Sequence, residues 1–368
     1  MTAATARPPL QGITVVDFSE LLPGPFLTQN LAEMGARILK IERPPHGDNA
    51  RHLGQGAFEA VNRGKQSLLA DLKDEAQRAQ VRELIASADV VVESYRPGVM
   101  ARLGLDAASL CQAYPQLIYV SLSGYGQTGP WADLPGHDIN YLAAAGVLAV
   151  SGTPSGAPAQ SFGLPVADLC GAMYALSATL AALFQRQATG RGQHLDVALA
   201  DCALHWMNPR LGAYRAGGAD TLQAQRDITL VKAAYGAFRC RDGRYLSIAA
   251  LEDHFWKRLC TALGLAPFDG AEYAGHKARK AVADAINQRI QQAVEGMDSH
   301  DAFDLLCRHD VPCAPVVPPA ELAAQPHFVS RGKFAPGADL PLVRFPVRME
   351  GVEGAVLGPC PALGSSGW

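Results

Sequence analysis

The sequence predicts an α/β fold: a parallel sheet with helices on both faces, followed by a smaller domain. Two observations point there. Short β-branched apolar runs at 13–18, 37–41, 90–92 and 117–122 alternate with segments of helical periodicity. The 368 residues are 48% hydrophobic and 18% charged, enough apolar material for a large core and two lobes.

The elements follow in order. Residues 13–18 read as a buried strand, and Gly24 and Pro25 open a helix that runs to about Met34, where Gly35 stops it. A second strand spans 37–41. Helical spacing over 74–87 puts Ala76, Ala79, Leu84 and Ile85 roughly on one side. Strands at 90–92 and 117–122 come next, then irregular loops over 123–136 and 151–165. A long helix is expected over 166–188, a strand over 193–197 and a helix over 198–207. Small residues at 216–219 mark a boundary, and 235–249 reads as a hairpin turning at Asp242 and Gly243. Helical patterns then run through Cys307, and the proline-rich stretch 311–319 is expected to be a crossing linker.

Composition also limits the partners. A formal charge of -3 gives no global basic field for nucleic acid. The most apolar stretch, 172–184, is interrupted by Ser177 and Thr179 and is short for a membrane span. The first nine residues lack the pattern of a secretory leader, so a cytoplasmic location is expected by default. Eight scattered cysteines form no C-x-x-C pair, and only Cys307 and Cys313 are close in sequence. Reduced thiols are expected, with neither a disulfide framework nor a zinc site.

Four stretches carry chemistry. Lys40 to Pro44, Asn62 to Lys65 and Tyr95 to Gly98 each put cations at an expected strand or loop edge. Three such sites on one side of one sheet would hold phosphates through charge-assisted hydrogen bonds. The loop after the first strand contains Pro23-Gly24-Pro25 and lacks the G-x-G-x-x-G of dinucleotide folds, which disfavours a nicotinamide enzyme. The fourth stretch is Gly136-His137-Asp138-Ile139-Asn140-Tyr141, whose histidine suits proton transfer near neutral pH. Asp168 opens the long helix and reads equally as a carboxylate favoured by the helix dipole, while Glu252 reads equally as a cap for the helix beginning near Phe255. The residues alone leave these three as an open acid–base set.

An ordered series of motifs carries a resemblance. Leu10 to Phe18, Pro23-Gly24-Pro25, Gly35-Ala36, Ile41-Glu42-Arg43-Pro44, Ala70-Asp71-Leu72-Lys73 and Arg96-Pro97-Gly98-Val99 come first. Gly124 to Pro130, Thr189-Gly190-Arg191-Gly192-Gln193, Asp242-Gly243-Arg244-Tyr245 and Val311 to Val316 follow. In this order they resemble the family III CoA-transferase and α-methylacyl-CoA racemase superfamily over nearly the whole chain. The resemblance implies a Rossmann-like large domain at 1–218 and a small domain at 219–316. It further implies a C-terminal segment at 317–368 that returns to the large domain, and an interlocked homodimer. It implies no permanently bound cofactor: coenzyme A enters as part of the acyl-CoA substrate, and a carboxylic acid serves as acceptor if CoA is transferred. Arg43, Arg63 and Arg96 match positions near the nucleotide end of CoA, and Lys65 and Tyr141 are placed with them.

Two chemistries occur on that scaffold. In the racemases a histidine and an aspartate, matching His137 and Asp168 with Glu252 in support, move an α-proton through an enolate. In the transferases the carboxylate matching Asp168 attacks the thioester and forms an aspartyl mixed anhydride. The unchanged loop from Gly136 to Tyr141 favours the racemase, and the transferase is the alternative. Leu164 stands where racemases carry Asn, and Leu169-Cys170-Gly171-Ala172 replaces their glycine run. Both departures resemble the transferases and leave open how the thioester oxygen is stabilised. A non-catalytic acyl-CoA-binding subunit is the reading from another class.

Overall fold

Six short strands, most of them buried along their length, set the frame of the larger unit. They are β1 (Thr14–Asp17), β2 (Arg37–Glu42), β3 (Gln66–Leu69), β4 (Val90–Glu93), β5 (Ile118–Ser123) and β6 (His194–Ala198). In the computed structural model, which describes residues 7–159, 163–334, 342–352, 354–355 and 357–368, they pair in parallel in the order β3-β2-β1-β4-β5-β6. The order reverses between β1 and β4, where an open α/β sheet forms a crevice at its carboxyl edge.

Alternate residues of each strand serve opposite faces, so both faces need cover. Val15, Val90, Val92, Ile118 and Val120 pack with Leu27, Leu31, Leu176 and Leu183 of the helices Pro23–Glu33 and Val166–Thr189. Val16, Leu39, Val91 and Tyr119 point the other way, against Val81, Ile85 and Leu110 of Glu75–Ala86 and Ala107–Ala113. Full burial of each such side chain contributes roughly 1.5–3 kcal/mol. The Asp74 carboxylate caps Glu75–Ala86 by accepting the Gln77 N–H at 2.9 Å.

The helix Val166–Thr189 is long and apolar enough to cross a membrane by length and composition, beyond what its central apolar run suggested. Here one side of it lies in the core, on β5, β6 and Pro23–Glu33.

The larger unit comprises residues up to Ala149, with Ala159–Leu211 and Ser330–Trp368; the smaller takes Val150–Pro158 and Gly212–Val329. The changeovers therefore fall at 211 and 329, where the sequence suggested 218 and 316. The C-terminal residues bond along β3: the Ser366 N–H donates to the Ser67 carbonyl at 3.0 Å, and the Gly64 N–H to the Pro359 carbonyl at 3.1 Å. In the smaller unit Arg226 donates to the carbonyls of Pro154 and Gly156 at 3.1 and 2.9 Å, which ties the 150–158 segment in.

The smaller unit has an antiparallel sheet, β7 (Tyr235–Arg239), β8 (Tyr245–Ala249) and β9 (Cys313–Pro315), with a core built on Trp256, Leu259, Ile286, Ile290 and Leu306. Two sequence readings need correction. The 311–319 stretch holds β9, whose Cys313 pairs with Ile248; an edge strand tolerates the prolines that suggested a linker. Strand β3 is not among the strands the sequence predicts, because its four residues carry little period-two signal.

The Thr189-Gly190-Arg191-Gly192-Gln193 motif has a steric cause. Gly192 crosses the end of β5 so closely that a Cβ there would lie 2.0 Å from the Leu117 carbonyl oxygen. Because the obstacle is backbone, Gly192→Ala is expected to destabilise the larger unit by about 2 kcal/mol or more, while a mutation of exposed Arg191 to Ala changes little. Chemical denaturation of both variants checks this.

Candidate active site

The site begins with a helix start. Val166–Thr189 opens after Pro165 with no side-chain cap of its own, leaving orphan N–H groups at the positive end of a 24-residue dipole. Asp138, from a different helix, supplies the acceptor: its Oδ1 takes the N–H of Ala167 at 2.6 Å and that of Asp168 at 3.2 Å. Asp138 is the first residue of Asp138–Ala144, so one carboxylate joins two helix starts.

Asp168 lies in that first turn. Burial pushes its carboxyl up to about 7, and the adjacent Asp138 charge adds to the rise. It is therefore a carboxylate that exchanges its proton near neutrality. Tyr141 closes the other side: its hydroxyl donates to the Gly136 carbonyl at 2.6 Å, and its ring meets Tyr125 edge-on with centroids 5.3 Å apart. A Cβ on Gly136 would lie 2.6 Å from that ring and one on Gly124 2.4 Å, so the loop pattern of the sequence is partly a tyrosine seat. Tyr141 titrates at about 12, raised by burial and then by Asp168, with the Arg96 charge pulling the other way. Asp168, Asp138, Tyr141 and Arg96 thus share one electrostatic neighbourhood.

His137 precedes Asp138–Ala144 as its N-cap residue. Its backbone N–H donates to Asn140 Oδ1 at 3.0 Å, and its residue surface is exposed. Glu252 belongs to the smaller unit, where its carbonyl accepts the Trp256 N–H at 2.9 Å; it stands at the N-cap of Asp253–Leu263 without a side-chain capping bond. Leu164 is exposed.

The expected cations separate into two groups. Arg43 follows the carboxyl end of β2 and Arg96 that of β4, and both are exposed. Arg43 donates to Asn49 Oδ1 at 2.8 Å and lies 3.6 Å from Glu20, whose N–H in turn donates to Ser94 at 3.1 Å. The loops after β1, β2 and β4 therefore meet at the crevice.

Arg63 and Lys65 precede β3, at its amino end, and do not share that edge; the unrecognised strand is why the sequence placed all three basic stretches together. Arg63 pairs with Glu33 at 2.9 Å and bonds the Val343 carbonyl. Lys65 has no exposed side-chain surface and donates to Thr28 at 2.7 Å, Asn62 at 2.8 Å and Asp17 at 3.3 Å. Burial brings Lys65 down to about 7, against the pull of Asp17.

These buried charges hold the loop after β1. Lys40, paired with Asp48 at 2.8 Å in a fully buried ion pair, donates to the Ser19 carbonyl at 2.7 Å. Asp48 Oδ1 accepts the N–H groups of Leu21 and Ala50, each at 2.9 Å, and holds Leu21 at φ 67°. Sequence reasoning took Asp138 only as part of the Gly136–Tyr141 loop and passed over the roles of Asp48 and Asp17. The hydropathy pattern offered a signal for Asp17, a charge ending an apolar strand, as Glu93 does in β4.

The comparisons bear on this geometry. The family model for CoA-transferase family III matches residues 10–366. The chain belongs to that family. Acetyl-CoA:oxalate CoA-transferase of Acetobacter aceti is 33% identical to this family III chain, over 96% of it and 92% of that enzyme. Human alpha-methylacyl-CoA racemase is 37% identical over 264 residues, 70% of this chain and 65% of that protein. The crystal structure of a CAIB/BAIF family protein from Brucella suis superposes with a TM-score of 0.86 at 32% identity, covering 97% of both chains.

One consequence can be measured. Asp138→Asn keeps an acceptor for the two helix N–H groups and removes the like charge beside Asp168. If Asp168 acts ionised, kcat/KM rises with pH through about 7 in the native enzyme. Asp138→Asn should move that limb to lower pH, by no more than about one unit because burial, the larger cause, persists. An unmoved limb would separate Asp138 from the titration of Asp168.

Proposed function

We propose that this chain is a CoA-transferase that moves CoA between carboxylic acids through Asp168, which reverses the preference for racemisation that the Gly136–Tyr141 loop suggested. The observation that carries it is the asymmetry of the relatives: a transferase is matched over nearly all of both chains, the racemase over about two thirds. Leu164 and Leu169-Cys170 point the same way, since they replace what the racemase pattern requires.

In this reading the Asp168 carboxylate attacks the thioester carbonyl, the C–S bond breaks, and CoA leaves as thiolate. The product is an acyl-aspartyl anhydride. Thiolate returning to the aspartyl carbonyl frees the first acid and leaves CoA on Asp168; the acceptor carboxylate then repeats the exchange in reverse order and departs as the new thioester. Atoms balance with no redox partner. A carboxylate that burial has made more basic is a better nucleophile than an exposed one, and near pH 7 a sizeable share is still ionised. Tyr141 and the loop around it wall the reacting carbonyl, His137 orients the substrate, and Arg43 and Arg96 at the sheet crevice hold the nucleotide phosphates. Glu252 and the interlocked homodimer belong to the same proposal.

The proposal is tested by incubating a panel of acyl-CoA donors with small mono- and dicarboxylic acids, oxalate among them, and following new thioesters by mass spectrometry. Transfer that Asp168→Ala abolishes, and that His137→Ala slows only a few-fold, is expected. The racemase takes its place if a 2-methylacyl-CoA gains an α-deuteron in heavy water and His137→Ala removes that exchange by roughly 10²–10⁴-fold, with no transfer to any acid.

A further inference from the structure

The face of the sheet that carries Val91 and Tyr119 should be apolar throughout, yet near its carboxyl edge three neighbouring strands break the rule. Glu93 of β4 lies opposite Ser121 of β5, and Ser121 opposite Asp196 of β6, with His194 two residues earlier on the same face. A place where a packed layer abandons its pattern is where function is expected. Here Glu93, Ser121 and His194 line a recess of about 220 Å³ that Arg96 also borders.

Glu93, nearly fully buried, accepts the N–H of Tyr95 at 2.9 Å and stands beside Ser121 in the sheet register. The Ser121 hydroxyl oxygen and His194 Nε2 lie 3.0 Å apart, in hydrogen-bond contact. Polar contacts thus run from His194 at the sheet edge, past Ser121, to Glu93, which takes its hydrogen bond from the backbone of the Tyr95-Arg96-Pro97-Gly98 turn. The bond to Tyr95 fixes the Ser94–Tyr95 peptide, one residue before Arg96.

We infer that Glu93 is a positioning residue: through the Tyr95 N–H it sets the turn that aims Arg96 at the CoA phosphates, and so makes CoA affinity depend on its own ionisation. This rests on the CoA reading above. Burial raises the Glu93 carboxyl to about 7, a rise to which Asp196 adds and which the Ser121 and Tyr95 bonds oppose. The other titratable or charged groups bordering it are Arg96, Asp106, Tyr119 and His194. Ionised, Glu93 is the stronger acceptor; as pH falls through 7 it takes up a proton, its grip on the turn loosens, and CoA binds more weakly.

The test is titration calorimetry of free CoA at pH 6, 7 and 8 with the native chain and with Glu93→Gln, a near-isosteric change that mimics the protonated form. Using the same ligand cancels CoA's own ionisations and that of Asp168 from the difference. At pH 8 the variant should bind roughly tenfold more weakly. Its affinity should then show none of the native chain's additional loss between pH 8 and pH 6, while kcat at saturating substrate stays near native. Ser121→Ala should weaken binding in the same direction but less, and decides the matter if Glu93→Gln fails to fold. A variant that loses thermal stability yet keeps the native affinity and pH slope would overturn the inference and leave Glu93 a packing residue. Failure of the native chain to bind CoA at all would instead overturn the CoA reading.

Discussion

Two backbone N–H groups, those of Ala167 and Asp168, must be satisfied for the candidate site to exist. They begin a 24-residue helix whose own sequence supplies no cap, and Asp138 meets them from across the fold. Because the acceptor is itself a carboxylate, the bond that anchors the helix also places a like charge beside Asp168. Anchoring and tuning are one interaction, so the geometry of the Gly136–Tyr141 loop reaches the electronics of Asp168 without touching its side chain. Tyr141, seated on Gly124 and Gly136, keeps that loop in place.

A second constraint operates at the crevice. The loop after β1 must cross the mouth of the sheet in a conformation its residues do not prefer, with Leu21 at φ 67°. Two buried ion pairs, Lys40–Asp48 and Lys65–Asp17, hold it there. Such pairs are poor sources of stability, because desolvating both charges offsets most of their attraction. Their value here is directional: Lys40 and Asp48 between them bond the Ser19 carbonyl and the Leu21 N–H, and so define the loop's path.

Much of this was legible in the sequence. Strands β1, β2, β4 and β5 and the long helix announce themselves because each is largely apolar and bounded by glycine, proline or a change of period, while β6 shows as the short extended stretch after Gly192. The helix start at Asp168 and the loop at His137 were visible as motifs. What was not legible follows from pairings distant in sequence. Strand β3 is too short to show a period, and without it Arg63 and Lys65 appeared to share an edge with Arg43. Nothing local says that Lys65 points inward to Asp17, 48 residues away. Asp138 was read as a neighbour of His137, although its partners lie 29 and 30 residues on.

The claim on which the account turns is that Asp168 becomes covalently acylated. Incubation with an acyl-CoA and hydroxylamine, followed by proteolysis and mass spectrometry of the peptide containing Asp168, tests it directly. The account predicts an aspartyl hydroxamate at Asp168, formed only when the thioester is present and absent from Asp168→Ala. An unmodified Asp168 under turnover conditions, with deuterium entering the α-carbon of the substrate, would contradict it.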